Sequence, residues 1–100
     1  MSDCGMTRSD ILQQAEKIVC GDRDRQYGSP EDSFRTIAEL WTSYLRLQIR
    51  AEDVAAMMEL MKLARIARGK AKADNWVDLA GYAACGGEIQ NEKYEEAEEA

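Results

Sequence analysis

Glu59 and Lys62 stand three residues apart inside the run Met57-Met58-Glu59-Leu60-Met61-Lys62-Leu63-Ala64-Arg65, and Asp74 and Asp78 stand four apart further on. On a helix, both spacings put the two side chains on one face. Two carboxylates stacked on one helix and a third from its neighbour are the hard oxygen ligands that Mg²⁺ takes, with water and a substrate phosphate completing its shell. Glu59, Asp74 and Asp78 are thus the candidate metal ligands, and Glu59 and Asp78 the candidate catalytic acids. Beside them Lys62, Arg65, Arg68, Lys70 and Lys72 form a cation cluster with no acid from Met61 to Ala73, suited to phosphate. A second candidate is the stretch Asp22-Arg-Asp-Arg-Gln-Tyr-Gly28. Arg23 and Arg25 offer planar bidentate donors for phosphate, and Tyr27 offers a ring for stacking or a hydroxyl.

Each group also has a plain structural use. Glu59 and Lys62 can pair along an exposed strip of helix. Asp74 can serve as an N-cap, and Asn75-Trp-Val-Asp78 can be a capping box. Arg23 and Arg25 can pair with the aspartates next to them, and the cation cluster can complement a helix C-terminus. Trp41 and Trp76 are expected in the core.

Four helices should position these residues. Thr7-Arg-Ser-Asp10 is a start signal, followed by Ile11, Leu12, Ala15, Ile18 and Val19 on one face, with Gly21 to close the helix. The charged segment 21–29 has no period and reads as a loop. Ser29-Pro-Glu-Asp32 starts a second helix with a stripe of Phe34, Ile37, Ala38, Trp41, Tyr44 and Leu45, ending near Gln48. A third runs from about Glu52 to Arg68, with Gly69 beyond it. Its apolar residues surround most of the cylinder, so it needs more than one neighbour, and a second copy of the chain is a candidate. The fourth starts at Asp74 or Asn75 and runs towards Glu88. Gly81, Ala84, Gly86 and Gly87 allow close approach, although the paired glycines weaken it. No alternating strand pattern occurs.

The expected fold class is therefore all-α: a four-helix bundle-like module spanning 1–88, completed by homo-oligomerisation, with an acidic tail over 89–100. One hundred residues suffice for one such core. The absence of histidine excludes imidazole catalysis and imidazole-ligated zinc. Three widely spaced cysteines argue for reduced thiols rather than a disulfide framework. The net charge of −6 is uneven: residues 88–100 hold six glutamates and Lys93, which leaves a nearly balanced body. That body has no long basic stripe or aromatic run, so nucleic acid is not the expected ligand. No apolar run approaches a membrane span and no secretory signal precedes the first helix, which makes the cytoplasm the expected compartment.

The stretches Gly21-Asp-Arg-xx-Gln-Tyr-Gly-Ser-Pro-Glu31, Ile37-Ala-xx-Trp41, Glu52-Asp-Val-Ala-xx-Met-xx-Met61-Lys-Leu-Ala-Arg65 and Asp74-Asn-Trp-Val-Asp-Leu-Ala-Gly-Tyr82 resemble a group of small phage and prophage proteins without an assigned function. That resemblance implies a role in host takeover, nucleotide metabolism or counter-defence, in the cytoplasm of a bacterial host. More distantly, carboxylates on two consecutive helices are similar to the all-α NTP pyrophosphohydrolases of the MazG type. Those enzymes are implied to bind Mg²⁺ through an ExxE pair and an ExxD pair, usually as dimers or tetramers. Glu59 matches the first acid of ExxE and Asp78 the last of ExxD. Lys62 replaces the second acid, and Asn75 stands where the other should be, with Asp74 displaced by one.

Taken together, the residues point to a phage-type protein that binds a nucleotide or phosphorylated ligand through Arg23, Arg25, Tyr27, Lys62 and Arg65 on a MazG-like helical scaffold. Sequestration of a nucleotide signal of host defence would fit. Two alternatives stand beside it. One is an Mg²⁺-dependent NTP pyrophosphohydrolase, in which the metal polarises the phosphate and a carboxylate deprotonates water. The other is an inhibitor or adaptor that acts on a host protein.

Overall fold

In a computed structural model the chain forms four helices: α1 (Arg8–Cys20), α2 (Pro30–Leu45), α3 (Ala51–Ala67) and α4 (Ala73–Glu99). The structure describes residues 5–21, 29–69 and 72–99, the side chains of Pro30 and 93–99 excepted, and no strand occurs among them. The all-helical class expected from periodicity is the class observed. At α1 and α2 the hydroxyls that precede the helices cap them as the sequence suggests. Thr7 and Asp10 form a reciprocal capping box on α1, with the Thr7 N–H 3.0 Å from Asp10 Oδ2 and the Asp10 N–H 3.1 Å from Thr7 Oγ1. Ser29 Oγ accepts from the Asp32 N–H at the start of α2. Asp53 Oδ2 accepts from the Arg50 N–H at the start of α3.

Helix α4 is the spine. It packs most extensively on α3 and next on α1, while α2 leans mainly on α3. The core joins Phe34 and Ala38 of α2, Val54 and Ala55 of α3, and Cys85 and Ile89 of α4. Val19, Trp41, Met58 and Tyr82 pack around it, and the Phe34 and Tyr82 rings lie 6.2 Å apart. Small residues set the spacing. A Cβ added at Gly86 would lie 2.9 Å from the Ala55 Cβ, closer than real side chains approach, so the Ala55 methyl of α3 packs directly on the α4 backbone there. At Gly81 an added Cβ would lie 3.2 Å from Val19 Cγ1, which makes the same kind of room for α1.

Five expectations are corrected. The second helix stops at Leu45 rather than near Gln48, because Arg46 takes a left-handed conformation (φ 58°) and its N–H caps the Thr42 carbonyl at 2.8 Å. The Thr42 hydroxyl then accepts from the Ile49 N–H at 2.9 Å and donates to the Ile49 carbonyl at 3.1 Å, turning the chain into α3. The last helix does not end at Glu88. It runs through Gly86-Gly87 to Glu99, because burial of Cys85 and Ile89 offsets the poor helix propensity of the glycines. A boundary at 88 therefore falls inside a helix whose next residue is core. The first turn of α4 already contains Asp74 and Asn75, so neither is the N-cap. Trp76 is 47% exposed and Tyr44 87% exposed, against a core placement for the first and a buried stripe for the second. Trp41 does pack on the core.

Candidate functional site

Lys62 decides what the α3–α4 face can do. It follows Ala51, Ala55 and Met58 along the side of α3 that meets the bundle, and only 9% of its surface is exposed. Its Nζ lies 2.8 Å from Asp78 Oδ2 on α4. The partner foreseen for Lys62 along an exposed strip, Glu59, is not the one observed. Asp78 keeps about a third of its side-chain surface exposed, so the pair has a dry end at the ammonium and a wet end at the carboxylate.

Around this pair the predicted residues divide. Glu59 is half-buried one turn before Lys62, and Arg65 is exposed one turn after it. Asp74 is exposed one turn before Asp78 and, being helical, sits above it. Arg68 and Lys72 are also exposed, while Lys70 lies outside the described residues. Arg23, Arg25 and Tyr27 lie outside the described residues too. Among the described residues, no three His, Cys, Asp or Glu side chains are grouped so as to hold a metal ion. Glu59, Asp74 and Asp78 are accordingly not gathered as a ligand set, and the oxygen of Asp78 nearest the bundle already faces a cation. The residues present do not fit Mg²⁺: a divalent ion beside the ammonium would be repelled at short range and low dielectric. A phosphate is a better match. An ammonium carries three donors, and one carboxylate does not exhaust them.

The ion pair between helices was missed in the sequence, yet its signal was there. Lys62 falls seven residues after Ala55 and four after Met58, on the buried row of α3. A groove of about 400 Å³ was also missed; it lies between α2, the α2–α3 connection and α4, lined by Glu31, Arg35, Thr42, Arg50, Ile89 and Glu92 among others. Among the described residues, none of the predicted site residues borders it.

Comparison with known proteins now adds the family. Residues 10–90 match a domain of unknown function, DUF6378. The chain belongs to that family. It is 40% identical over 85 residues to the Gene 55 protein of Mycobacterium phage D29, covering 85% of this chain and 56% of the relative. To the Gene 55 protein of Mycobacterium phage L5 it is 43% identical over 74 residues, which is 73% of this chain and 47% of that one. The chain thus spans about half the length of the curated relatives it matches. No solved structure matches it. The DUF6378 match covers the four helices up to the buried end of α4 and includes the Lys62–Asp78 pair. No helix among the described residues is long and apolar enough to cross a membrane.

Proposed function

We propose that this DUF6378 protein binds a nucleotide or another phosphorylated small molecule on the α3–α4 face around Lys62 and Arg65, and does not hydrolyse it. The observation that carries this is the 2.8 Å contact of a buried lysine with Asp78. It fixes a positive charge where metal-assisted hydrolysis needs a negative one. Arg65 supplies an exposed fork for phosphate oxygens, and Glu59 and Asp74 accept from ligand hydroxyls or amino groups. Within an infected bacterial cytoplasm such a protein sequesters a nucleotide signal used in host defence.

The test is a thermal-shift screen against NTPs, dNTPs and cyclic nucleotides, with and without Mg²⁺, followed by mass analysis of the ligand. The expected outcome is stabilisation without Mg²⁺ and recovery of intact ligand. Arg65→Ala should weaken binding at least about tenfold with an unchanged melting temperature, since the side chain is exposed and a charge-assisted hydrogen bond is worth about 1.5–3 kcal/mol. Conversion to a monophosphate only with Mg²⁺ would establish the pyrophosphohydrolase instead. A flat screen would turn attention to a host protein as the target.

A further inference from the structure

The groove beside α2 has a chemistry of its own, apart from the Lys62 face. Helices α2 and α4 both touch α3 but make little contact with each other, and the groove is the gap between them, bounded by the α2–α3 connection. Its floor is apolar. Ala38 and Ile89 are core residues, 4% and 7% exposed, and Ile49 and Ala51 are half-buried beside them. Helix α2 contributes Glu31, Arg35 and Glu39 at intervals of four residues, one row of its surface. Glu31 Oε1 accepts from the Arg35 guanidinium at 3.1 Å, which neutralises that end of the row. Glu92, across the gap on α4, has a partner already.

Two charges are left over, and the Thr42–Ile49 tie places them. Its hydroxyl is engaged in both directions with the Ile49 backbone, so Thr42 itself offers a ligand nothing. Glu39 stands one turn before Thr42, about 4.5 Å of helix rise, and Arg50 directly follows the residue that Thr42 holds. A carboxylate and a guanidinium thus border the same stretch of apolar floor, and among the described residues neither forms an ion pair.

We propose that this groove binds a small zwitterion of the amino-acid type with an apolar side chain. The ligand ammonium pairs with Glu39, its carboxylate takes the planar fork of Arg50 and the neighbouring Gln48 amide, and its side chain lies on Ala38 and Ile89. A singly charged ligand would desolvate the opposite wall group without pairing it. The volume of about 400 Å³ lies near the lower end of pockets that hold small molecules, which suits a ligand of this size.

The groove shares no residue with the Lys62 face, so the two sites are tested apart. The experiment is calorimetric titration of the full chain with L-phenylalanine, phenethylamine and hydrocinnamate, which carry one ring with both charges, the ammonium alone and the carboxylate alone. L-phenylalanine should bind at least about tenfold more tightly than either analogue, since each loses a charge-assisted hydrogen bond. Glu39→Gln should erase its advantage over hydrocinnamate and keep its advantage over phenethylamine; Arg50→Gln should do the reverse. Both side chains are exposed, so the helical circular dichroism of each variant should be unchanged. Arg65→Ala should leave all three affinities as they were. Equal affinity for the three ligands would mean an apolar hole without charge recognition, and a preference for phenethylamine would mean a cation groove. Either result, no binding of L-phenylalanine at millimolar concentration, or loss of its binding in Arg65→Ala would overturn the proposal.

Discussion

Asp78 and Lys62 are unequal partners, and their burial predicts unequal mutants. Asp78→Asn leaves an ammonium in a dry position without a countercharge, the costly way to break such a pair. Because Asp78 is partly wet, the expected loss is about 2 kcal/mol rather than the full penalty, or about 10 °C in melting temperature for a domain of this size. Lys62→Met replaces the ammonium with an apolar chain of similar length and leaves a carboxylate that water can reach, so its cost should be under about 1 kcal/mol. Urea unfolding of both single variants and the double variant checks this ordering, and equal losses would contradict it. A purely catalytic Asp78 would instead leave stability nearly untouched. At the start of α1, the Thr7 amide and then its hydroxyl hold the Asp10 carboxyl below its ordinary value. That depressed group favours the folded helix end above the unfolded aspartate's titration range, and its contribution is lost as pH falls through the folded value. The Thr7 amide resonance should therefore move only at acid pH, and Asp10→Asn should abolish the movement. Lys62 was legible as a cation near carboxylates but not as a buried one, because its neighbours Glu59 and Arg65 suggested a wet row. Only the longer repeat from Ala51 and Ala55 carries the other signal.

Two adjacent glycines in α4 carry opposite expectations. Gly86 meets Ala55 so closely that Gly86→Ala must push α3 away, an overpacking expected to cost about 1–3 kcal/mol. At Gly87 an added Cβ meets nothing within 4 Å, so Gly87→Ala should gain about 0.5–1 kcal/mol from helix propensity alone. Thermal unfolding of the two variants reads the sign directly. The same pair shows why the end of α4 was illegible: composition gives both glycines one meaning, a weak helix, while packing separates them. The starts of α1 and α2 were legible because a cap acts within three or four residues of itself. The end of α2 was not, since it depends on the Thr42 hydroxyl reaching the Ile49 backbone seven residues away. Thr42→Val removes both bonds and should cost about 1–2 kcal/mol.

The molecule as a whole is elongated, 48 × 29 × 26 Å, because α4 is about 40 Å long and α3 about 26 Å. A radius of gyration of 15.1 Å exceeds the roughly 13 Å of a compact chain of this length. The all-helical class was legible because it follows from period alone. The exposed Leu60 and Leu63 of α3 were legible only as excess apolarity, since a sequence says how much of a cylinder is greasy and not which part its own chain covers. The sheltered position of Lys62 has one more consequence, for chemical labelling. Amine-acylating reagents should modify exposed Lys17 and Lys72 promptly and Lys62 more slowly, since only 9% of its surface is exposed and its ammonium is paired with Asp78. A phosphorylated ligand on that face should slow the Lys62 reaction further, making one side chain a reporter of occupancy.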